Sequence, residues 1–409
     1  MESLSALTKG IDIESDPKGF FNAALQVYEK FMEFFKEGGQ AEAASKAQED
    51  LETLENTKLN IAVTGDVGSG KSSFINALRG LGAEDPGAAQ SGVIETTTEP
   101  IAYLHPSYPN VTLWDLPGIG GMGFRPERYL QQVNFSRYDF FIIIASERFR
   151  SSHADLAREI QRMEKKFYFV RCKVDEDLAN TRRARPQTYV EEDVLQRIRE
   201  NARKCLVDQG VPYPQVFLLS NWEIHRYDFL LLEETLEKDL PHLQRHVFLL
   251  SLPNLSPEIM EKKKSALHGH LWKIALVSAF INILPLPRVS LACDVGILFV
   301  SMIAFYKQFG LDDGSLAKLA RQAGKPVAEL KAVVISPQGE TLSRDVLMKK
   351  IVQVGCGLTR SVEQSFDLVP VISTLAKAGL SFATSYSILS NFLEKVAEDA
   401  QKVRKKALE

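Results

Sequence analysis

A glycine-rich stretch near residue 65 has the residue types and spacing of a phosphate-binding loop. Residues 65–72 read GDVGSGKS, which fits G-x-x-x-x-G-K-[ST], between an apolar run at 59–64 and a helical pattern at 73–78. Glycines let the backbone curl with its N–H groups facing inward, and the helix N-terminus adds partial positive charge, so polyphosphate oxygens are cradled. We expect Lys71 to reach the β- and γ-phosphates and Ser72 to ligate Mg²⁺. The residues predicted to bind nucleotide here are Gly65, Asp66, Val67, Gly68, Ser69, Gly70, Lys71, Ser72 and Ser73.

A second motif lies about forty residues further on, where residues 114–118 read WDLPG. An acidic residue at the end of an apolar strand, with a glycine closing the next turn, is the arrangement in which Asp115 holds Mg²⁺ directly or through water. The backbone N–H of Gly118 would then contact the γ-phosphate. Because Asp-x-x-Gly alone is a common turn, the prediction depends on the phosphate loop that precedes it.

A third motif predicts which base is bound. Residues 167–175 read FYFVRCKVD and end a strand with Lys-x-Asp, which resembles the guanine-recognition sequence of small GTPases. The Asp175 carboxylate would accept from guanine N1–H and the exocyclic amine, two donors that adenine does not offer in that arrangement. Lys173 would lie along the base, and Cys172 stands where Asn or Thr is usual. Ser220 and Asn221, after the next strand, fit a further base-contacting loop.

The segment between the first two motifs, residues 92–99, reads GVIETTTE and is expected to form the first switch. Any of Thr96, Thr97 or Thr98 could close on Mg²⁺ and the γ-phosphate, and Thr97 stands in the predicted ligand set. Ile119 occupies the position where Ras-like enzymes place a water-orienting Gln, so intrinsic hydrolysis should be slow. Help would come from another residue in cis, with Glu95 the nearest carboxylate, or from self-association across the nucleotide face.

These motifs require a sheet whose strands end beside one another. Short β-rich runs separated by helical segments extend from residue 59 to about 240, and they predict mostly parallel strands buried on both faces, with helices covering both sides. Residues 1–57 have helical apolar spacing, and no comparable strand series follows residue 240. We therefore predict an N-terminal helical segment (1–57), an α/β nucleotide-binding domain (58–240) and a C-terminal helical domain (241–409).

Composition narrows the class of protein. The chain has 409 residues, 45% hydrophobic and 25% charged, which suits two or three globular domains and not a disordered tail or disulfide scaffold. The net charge of −3 gives no general attraction for nucleic acid, and no nucleic-acid partner is expected. The four cysteines lie far apart without metal-type spacing, which indicates reduced thiols in the cytoplasm.

Membrane contact is a separate question. The start has no basic region followed by an apolar one, and Glu2 stands where N-myristoylation needs glycine, so a cytoplasmic protein is expected. Residues 271–306 are mostly apolar but are divided by polar residues and prolines into pieces shorter than a bilayer span. Two buried helices joined at residues 284–288 are favoured over a membrane-inserting hairpin.

Longer strings of the sequence resemble the immunity-related GTPases, the interferon-inducible family, and most closely its cinema-type branch. The matching strings cover nearly the whole chain and lie at residues 61–82, 92–97, 114–120, 138–144, 166–171, 227–229, 309–316 and 396–401. The resemblance implies a Ras-like G domain set into a helical domain built from both termini. It also implies GTP and GDP as ligands, cooperative GTP hydrolysis by G-domain dimers or oligomers, and peripheral association with endomembranes (endoplasmic reticulum, Golgi or vacuole) in innate immune defence.

The resemblance also assigns roles to individual residues. A switch glutamate acts in catalysis in that family, and Glu95 is the matching position, alongside Lys71 and Gly118 in the predicted catalytic set. Glu2 replaces the acceptor glycine of some relatives, which removes a lipid anchor. Two functions follow: a GTPase whose turnover drives assembly and disassembly, or a nucleotide-gated scaffold with negligible turnover, which Ile119 would permit. An ATPase is the weaker alternative.

Overall fold

A computed structural model describes residues 17–36, 40–90, 98–119, 125–224, 226–254, 256–281, 290–336, 349, 352 and 374–409. The chain divides into two compact units. One comprises Asn56–Pro253, and the other combines Met1–Glu55 with Asn254–Glu409. The first unit is α/β and the second is helical wherever the structure describes it, so the fold class predicted from the sequence is confirmed.

A six-stranded sheet forms the centre of the α/β unit, in the order β2-β3-β1-β4-β5-β6. Its strands are β1 (Leu59–Gly65), β2 (Ile101–Leu104), β3 (Val111–Asp115), β4 (Phe140–Ala145), β5 (Lys166–Arg171) and β6 (Val216–Leu218). All neighbours are parallel except the edge pair β2 and β3. The apolar run FFIIIA of β4 is buried along its whole length, as a central parallel strand requires.

Helices connect these strands, and two more helices follow the last strand. They are α3 (Lys71–Leu78), α4 (Pro126–Gln132), α5 (Ser151–Arg162), α6 (Val174–Ala184), α7 (Glu191–Asp208), α8 (Phe229–Asp239) and α9 (His242–Ser251). Strand β1 has β3 on one side and β4 on the other, so the strand order reverses direction there. Right-handed crossovers then place the connecting helices on opposite faces, and a ligand is expected at the carboxyl ends of β1 and β3.

The α/β unit extends past residue 240, where the sequence predicted the domain boundary. Helix α9 belongs to this unit because it contacts α8 and the strands β1 and β3. Its apolar residues Val247, Phe248 and Leu250 are buried. A helical pattern alone cannot show whether a helix packs on a sheet or on other helices, since both demand the same apolar stripe.

The helical unit is assembled from both ends of the chain. Its helices are α1 (Pro17–Lys36), α2 (Gln40–Asn56), α10 (Pro257–Ile281), α11 (Ser290–Gln308), α12 (Asp313–Ala323), α13 (Val327–Lys331) and α14 (Thr374–Leu408). The long α14 contacts α1, α10 and α11, and the rings of Phe31 and Phe382 lie 4.7 Å apart. Lys273 on α10 donates to Asp50 on α2 at 2.7 Å. N-terminal and C-terminal segments thus share one core.

The apolar segment of residues 271–306 falls on α10 and α11, with the predicted joint at 284–288 outside the described residues. Leu271, Leu276, Leu298 and Met302 are buried in the helical unit. By length and composition alone, one described stretch, Val295–Ala323, could cross a membrane, with a mean hydropathy of 1.3 and 39% of that window buried. Core helices of soluble proteins pass the same test, and Gly310 breaks the stretch with a φ of 67°.

Candidate functional site

Three glycines shape the loop between β1 and α3. Gly65, Gly68 and Gly70 have φ values of 141°, 72° and 94°, which L side chains rarely adopt. At Gly65 a Cβ atom would stand 1.9 Å from the carbonyl oxygen of Ile144 on β4, so no other residue fits without moving the strand. The loop can therefore curl tightly against the sheet and present its backbone N–H groups to an anion.

The Lys71 side chain folds back over this loop. Its Nζ donates to the backbone carbonyl of Asp66 at 3.0 Å and reaches that of Gly65 at 3.4 Å. The residue is buried, which places its charge inside the concave side of the loop, where phosphates would lie. Ser69 is also fully buried, and its hydroxyl has no hydrogen-bond partner among the described residues. Both observations fit a loop built around an anionic ligand.

Ser72 and Asp115, two of the residues predicted to bind a metal ion, are in contact. Ser72 Oγ donates to Asp115 Oδ2 at 2.7 Å, although 43 positions separate them in the chain. Asp115 ends β3 and is buried beside β1, since the register pairs it with Val63. A hydroxyl and a carboxylate supply the hard oxygen donors that Mg²⁺ prefers. The pair therefore fits the predicted ion.

The segment after Asp115 stays against β1 and brings Gly118 to the loop. Ile119 N–H donates to the carbonyl of Gly65 at 3.0 Å. Tyr129 on α4 holds the same segment, because its hydroxyl donates to the Pro117 carbonyl at 2.9 Å and bonds Thr64 Oγ1 at 2.7 Å. Burial raises the pKa of Tyr129, so its phenol keeps the proton that this hydrogen bond uses.

The Ile119 side chain packs in the core of the α/β unit. Its side chain is 3% exposed and belongs to the apolar cluster formed with Leu116, Leu130 and Ile143. An aliphatic group in that position cannot orient an attacking water. The chain therefore has no polar group at the position of the usual water-orienting Gln.

The Lys-x-Asp motif lies where β5 turns into α6. Lys173 has a φ of 60°, and Asp175 stands in the first turn of the helix. The Oδ1 atom of Asp175 is buried and has no hydrogen-bond partner among the described residues. A buried carboxylate oxygen of this kind is costly unless a ligand donates to it. This is the chemistry predicted for guanine N1–H and the exocyclic amine.

The loop after β6 joins the base site to the phosphate loop. Asn221 Nδ2 donates to the Gly70 carbonyl at 3.1 Å, and Cys172 Sγ lies 3.8 Å from Asn221 Oδ1. Ser220 is buried, and its hydroxyl accepts from the N–H groups of Trp222 and Glu223. Both predicted residues are thus at the site, but in the described state their side chains hold loops together.

Two expected contributors lie beyond the structural description. Glu95 and Thr97, together with Thr96, fall within residues 91–97, which the structure does not describe. Thr98 is described and is exposed. The remaining predicted residues are brought together at the carboxyl ends of β1, β3, β5 and β6. Their roles in binding and catalysis stay predictions.

One contributor has no motif of its own in the sequence. His153 on α5 is fully buried, and its Nε2 lies 3.0 Å from Oδ2 of Asp66 in the phosphate loop. Its Nδ1 accepts the backbone N–H of Arg150 at 3.1 Å, so the proton resides on Nε2 and is donated to the carboxylate. The Arg150 guanidinium lies 3.8 Å from the other oxygen of Asp66. The Asp66 side chain therefore ties the loop to α5.

A family model described as Interferon-inducible GTPase (IIGP) matches residues 24–407, nearly the whole chain. The chain belongs to this family. Members of the IIGP family bind guanine nucleotides and hydrolyse GTP, so the chain is a GTPase and its ligands are GTP and GDP. The family resemblance inferred from the sequence motifs is confirmed.

Curated relatives in the IIGP family match over similar lengths. The chain is 48% identical to Interferon-inducible GTPase 5 of Rattus norvegicus over 376 residues, covering 92% of this chain and 81% of the relative. The protein of the same name from Bos taurus is 49% identical over the same shares. Interferon-inducible GTPase 1 of Mus musculus is 44% identical over 293 residues, covering 72% of this chain and 71% of the relative.

Proposed function

We propose that this IIGP-family protein is a self-associating GTPase, in which contact between two G domains across the nucleotide face completes a site that hydrolyses GTP slowly alone. The observation that carries the proposal is Ile119, an aliphatic, buried side chain at the position of the usual water-orienting Gln. Catalytic help must then come from the first switch or from a second copy. Glu95 is the proposed cis contributor because it is the nearest predicted carboxylate.

The cation proposed to act with GTP and GDP is Mg²⁺. Ser72 and Asp115 would hold it, joined by Thr97 in the GTP state, and it would offset negative charge on the phosphate oxygens. Lys71 contacts the β- and γ-phosphates, and the Gly118 N–H contacts the γ-phosphate. Asp175 and Lys173 select the guanine base, which excludes ATP as the preferred nucleotide.

Exposed apolar side chains next to this site support a nucleotide-face dimer. Val67 in the phosphate loop is 49% exposed, and Trp222, directly after Asn221, is 78% exposed. Large apolar groups at the rim of a polar site are typical of protein contact surfaces. A second copy of the chain would cover both groups as it closes over the nucleotide.

The alternative proposal is a nucleotide-gated scaffold that binds GTP or GDP and partners with negligible turnover. The same Ile119 permits it, since binding needs the phosphate loop and Asp175 but not a positioned water. In either case we propose that the protein acts in the cytoplasm with peripheral contact to endomembranes. The interferon-inducible names of its relatives support a role in innate immune defence. The apolar helices α10 and α11 are the proposed membrane-contacting elements.

The experiment measures GTP turnover per molecule against protein concentration. For the self-associating GTPase, specific activity rises with concentration, and Trp222→Ala flattens the rise. Tyr213→Ala is the matched control, because Tyr213 is 95% exposed but precedes β6. It therefore lies at the amino end of that strand, whereas the nucleotide site lies at the carboxyl ends. A flat, near-zero rate for the unaltered protein would reject the proposal in favour of the scaffold.

Two further variants test the assigned roles. Lys71→Ala should lose nucleotide binding, whereas Glu95→Ala should bind GTP normally and lose turnover. Normal hydrolysis by Glu95→Ala would show that the switch carboxylate is not the catalytic contributor. A competition assay in which ATP displaces GDP better than GTP does would reject the assignment of Asp175 to guanine.

A further inference from the structure

A cavity of about 550 Å³ lies in the α/β unit beside β5, between α6 and α7. Its apolar wall is formed by Phe149, Phe169, Val194, Ile198 and Ala202. None of the residues that line it belongs to the nucleotide site described above. Cavities of roughly 300–1,000 Å³ with an apolar lining and a few polar groups are the usual form of small-molecule sites. The cavity is therefore large enough for a ligand of its own.

The charged residues that line the cavity are mostly positive. Four arginines, Arg148, Arg171, Arg185 and Arg197, line the cavity, against a single carboxylate, that of Glu147. Arg171 is already occupied, since it bonds Asp177 Oδ2 at 2.6 Å and the Glu147 carbonyl. Arg185 has no carboxylate partner among the described residues, and Arg197 bonds only a backbone carbonyl. The guanidinium groups of Arg185 and Arg197 can therefore bind an anion, and Arg148, which also has no carboxylate partner among the described residues, supplies a third positive charge.

We propose that this cavity binds a small amphipathic anion, a carboxylate, sulfonate or phosphate carried on an apolar body of one to three rings. The apolar body would lie on Phe169 and Ile198, where burial of apolar surface favours it. The acid group would lie between Arg185, at the end of α6, and Arg197 on α7, because guanidinium groups bind such acids through paired hydrogen bonds.

The cavity connects to guanine binding through Arg171. That residue holds Asp177, which stands in the same first turn of α6 as Asp175. The negative charge of an acid held by Arg185 and Arg197 attracts the Arg171 guanidinium, which lines the same cavity, away from Asp177 and so loosens this turn. Occupancy should therefore weaken GDP binding, and by linkage GDP should weaken ligand binding by the same factor.

The test uses full-length protein loaded with GDP and Mg²⁺, so that the nucleotide site is filled. The probe is 8-anilinonaphthalene-1-sulfonate, whose fluorescence rises in apolar surroundings, and N-phenyl-1-naphthylamine is the same ring system without the acid. The variants are Arg185→Ala, which removes an anion contact, and Ala184→Phe, which fills the cavity. Arg183→Ala is the matched control, because Arg183 is an exposed α6 arginine outside the cavity.

We expect saturable binding of the sulfonate, weakened about tenfold by Arg185→Ala, as loss of a charge-assisted hydrogen bond predicts. Ala184→Phe should abolish binding, and Arg183→Ala should leave it unchanged. Equal binding of the uncharged amine, or equal affinity in Arg185→Ala and Arg183→Ala, would overturn the anion site. Release of GDP should accelerate with saturating sulfonate, and an unchanged release rate would overturn the coupling through Arg171.

Discussion

Replacing His153 by alanine is expected to free the phosphate loop from α5. The imidazole donates to the Asp66 carboxylate at 3.0 Å and accepts the Arg150 N–H at 3.1 Å. It also packs edge-on against the rings of Phe149 and Phe169, with centroids 5.5 and 5.6 Å away. Because the side chain is fully buried, water cannot replace either bond without opening the core.

The magnitude follows from these contacts. A hydrogen bond to a charged group contributes about 1.5–3 kcal/mol, and the lost packing adds to this, so His153→Ala should lower the free energy of unfolding by at least about 3 kcal/mol. For a unit of this size, 1 kcal/mol corresponds to about 2–4 °C in Tm, which gives roughly 6–12 °C. Arg150 cannot compensate, because its side chain is 49% exposed and lies 3.8 Å from the carboxylate.

The assay is thermal unfolding with and without GDP and Mg²⁺, joined to the rate of GDP release. The His153→Ala variant should unfold at a lower temperature. It should also release GDP faster, since Asp66 belongs to the phosphate loop. His153→Gln places an amide donor near the position of Nε2 and should recover part of both losses. Arg150→Ala serves as the control, with a loss below about 1 kcal/mol. Equal Tm values for His153→Ala and Arg150→Ala would refute the proposed tie between α5 and the loop.

Three further outcomes are expected. Asp175→Asn removes the second acceptor for guanine and should weaken GDP binding by about tenfold or more while improving xanthosine diphosphate binding, measured by competition. Burial raises the pKa of the Cys172 thiol to about 12, so at pH 8 iodoacetamide should not alkylate Cys172 in the folded protein. In the unfolded chain the same thiol should be alkylated, and peptide mass spectrometry measures both outcomes. Asp399 is buried on α14 and accepts from the backbone N–H groups of Ile335 and Ser336 at 2.9 and 2.6 Å. The Asp399→Ala variant should therefore lower the free energy of unfolding of the helical unit by about 2 kcal/mol, measured by calorimetry, and Asp399→Asn should lower it less.

The parts of the site that could be predicted are those written in short, contiguous motifs. The turn at Gly65 needs a residue without a Cβ atom, and the strand before it is recognisable in the sequence as an apolar run. The glycine therefore stands where the neighbouring sequence predicts the turn. Asp115 and Asp175 follow strands in the same way. Because the carboxyl ends of parallel strands meet at one edge, locating the strands was sufficient to bring these residues together.

What could not be predicted depends on distant pairs. His153 meets Asp66 across 87 positions, and Tyr129 meets Thr64 across 65, with no pattern in either neighbourhood that indicates the partner. The place of α9 was missed for a related reason, since its apolar stripe suits a sheet as well as a helix bundle. Such contacts depend on how the elements pack, which periodicity does not encode.

The helical unit draws its core from the two ends of the chain, and this affects how the protein is made. Phe31 on α1 packs on Phe382 of α14, about 350 residues later in the sequence. At about 5–20 residues per second, roughly 20–70 s of synthesis separate the two. The α/β unit can complete its sheet during that interval. The apolar face of α1, which includes Ala24 and Val27, stays uncovered until α14 has been synthesised. The nascent chain on the ribosome is therefore expected to require chaperone protection of this N-terminal helix until α14 emerges.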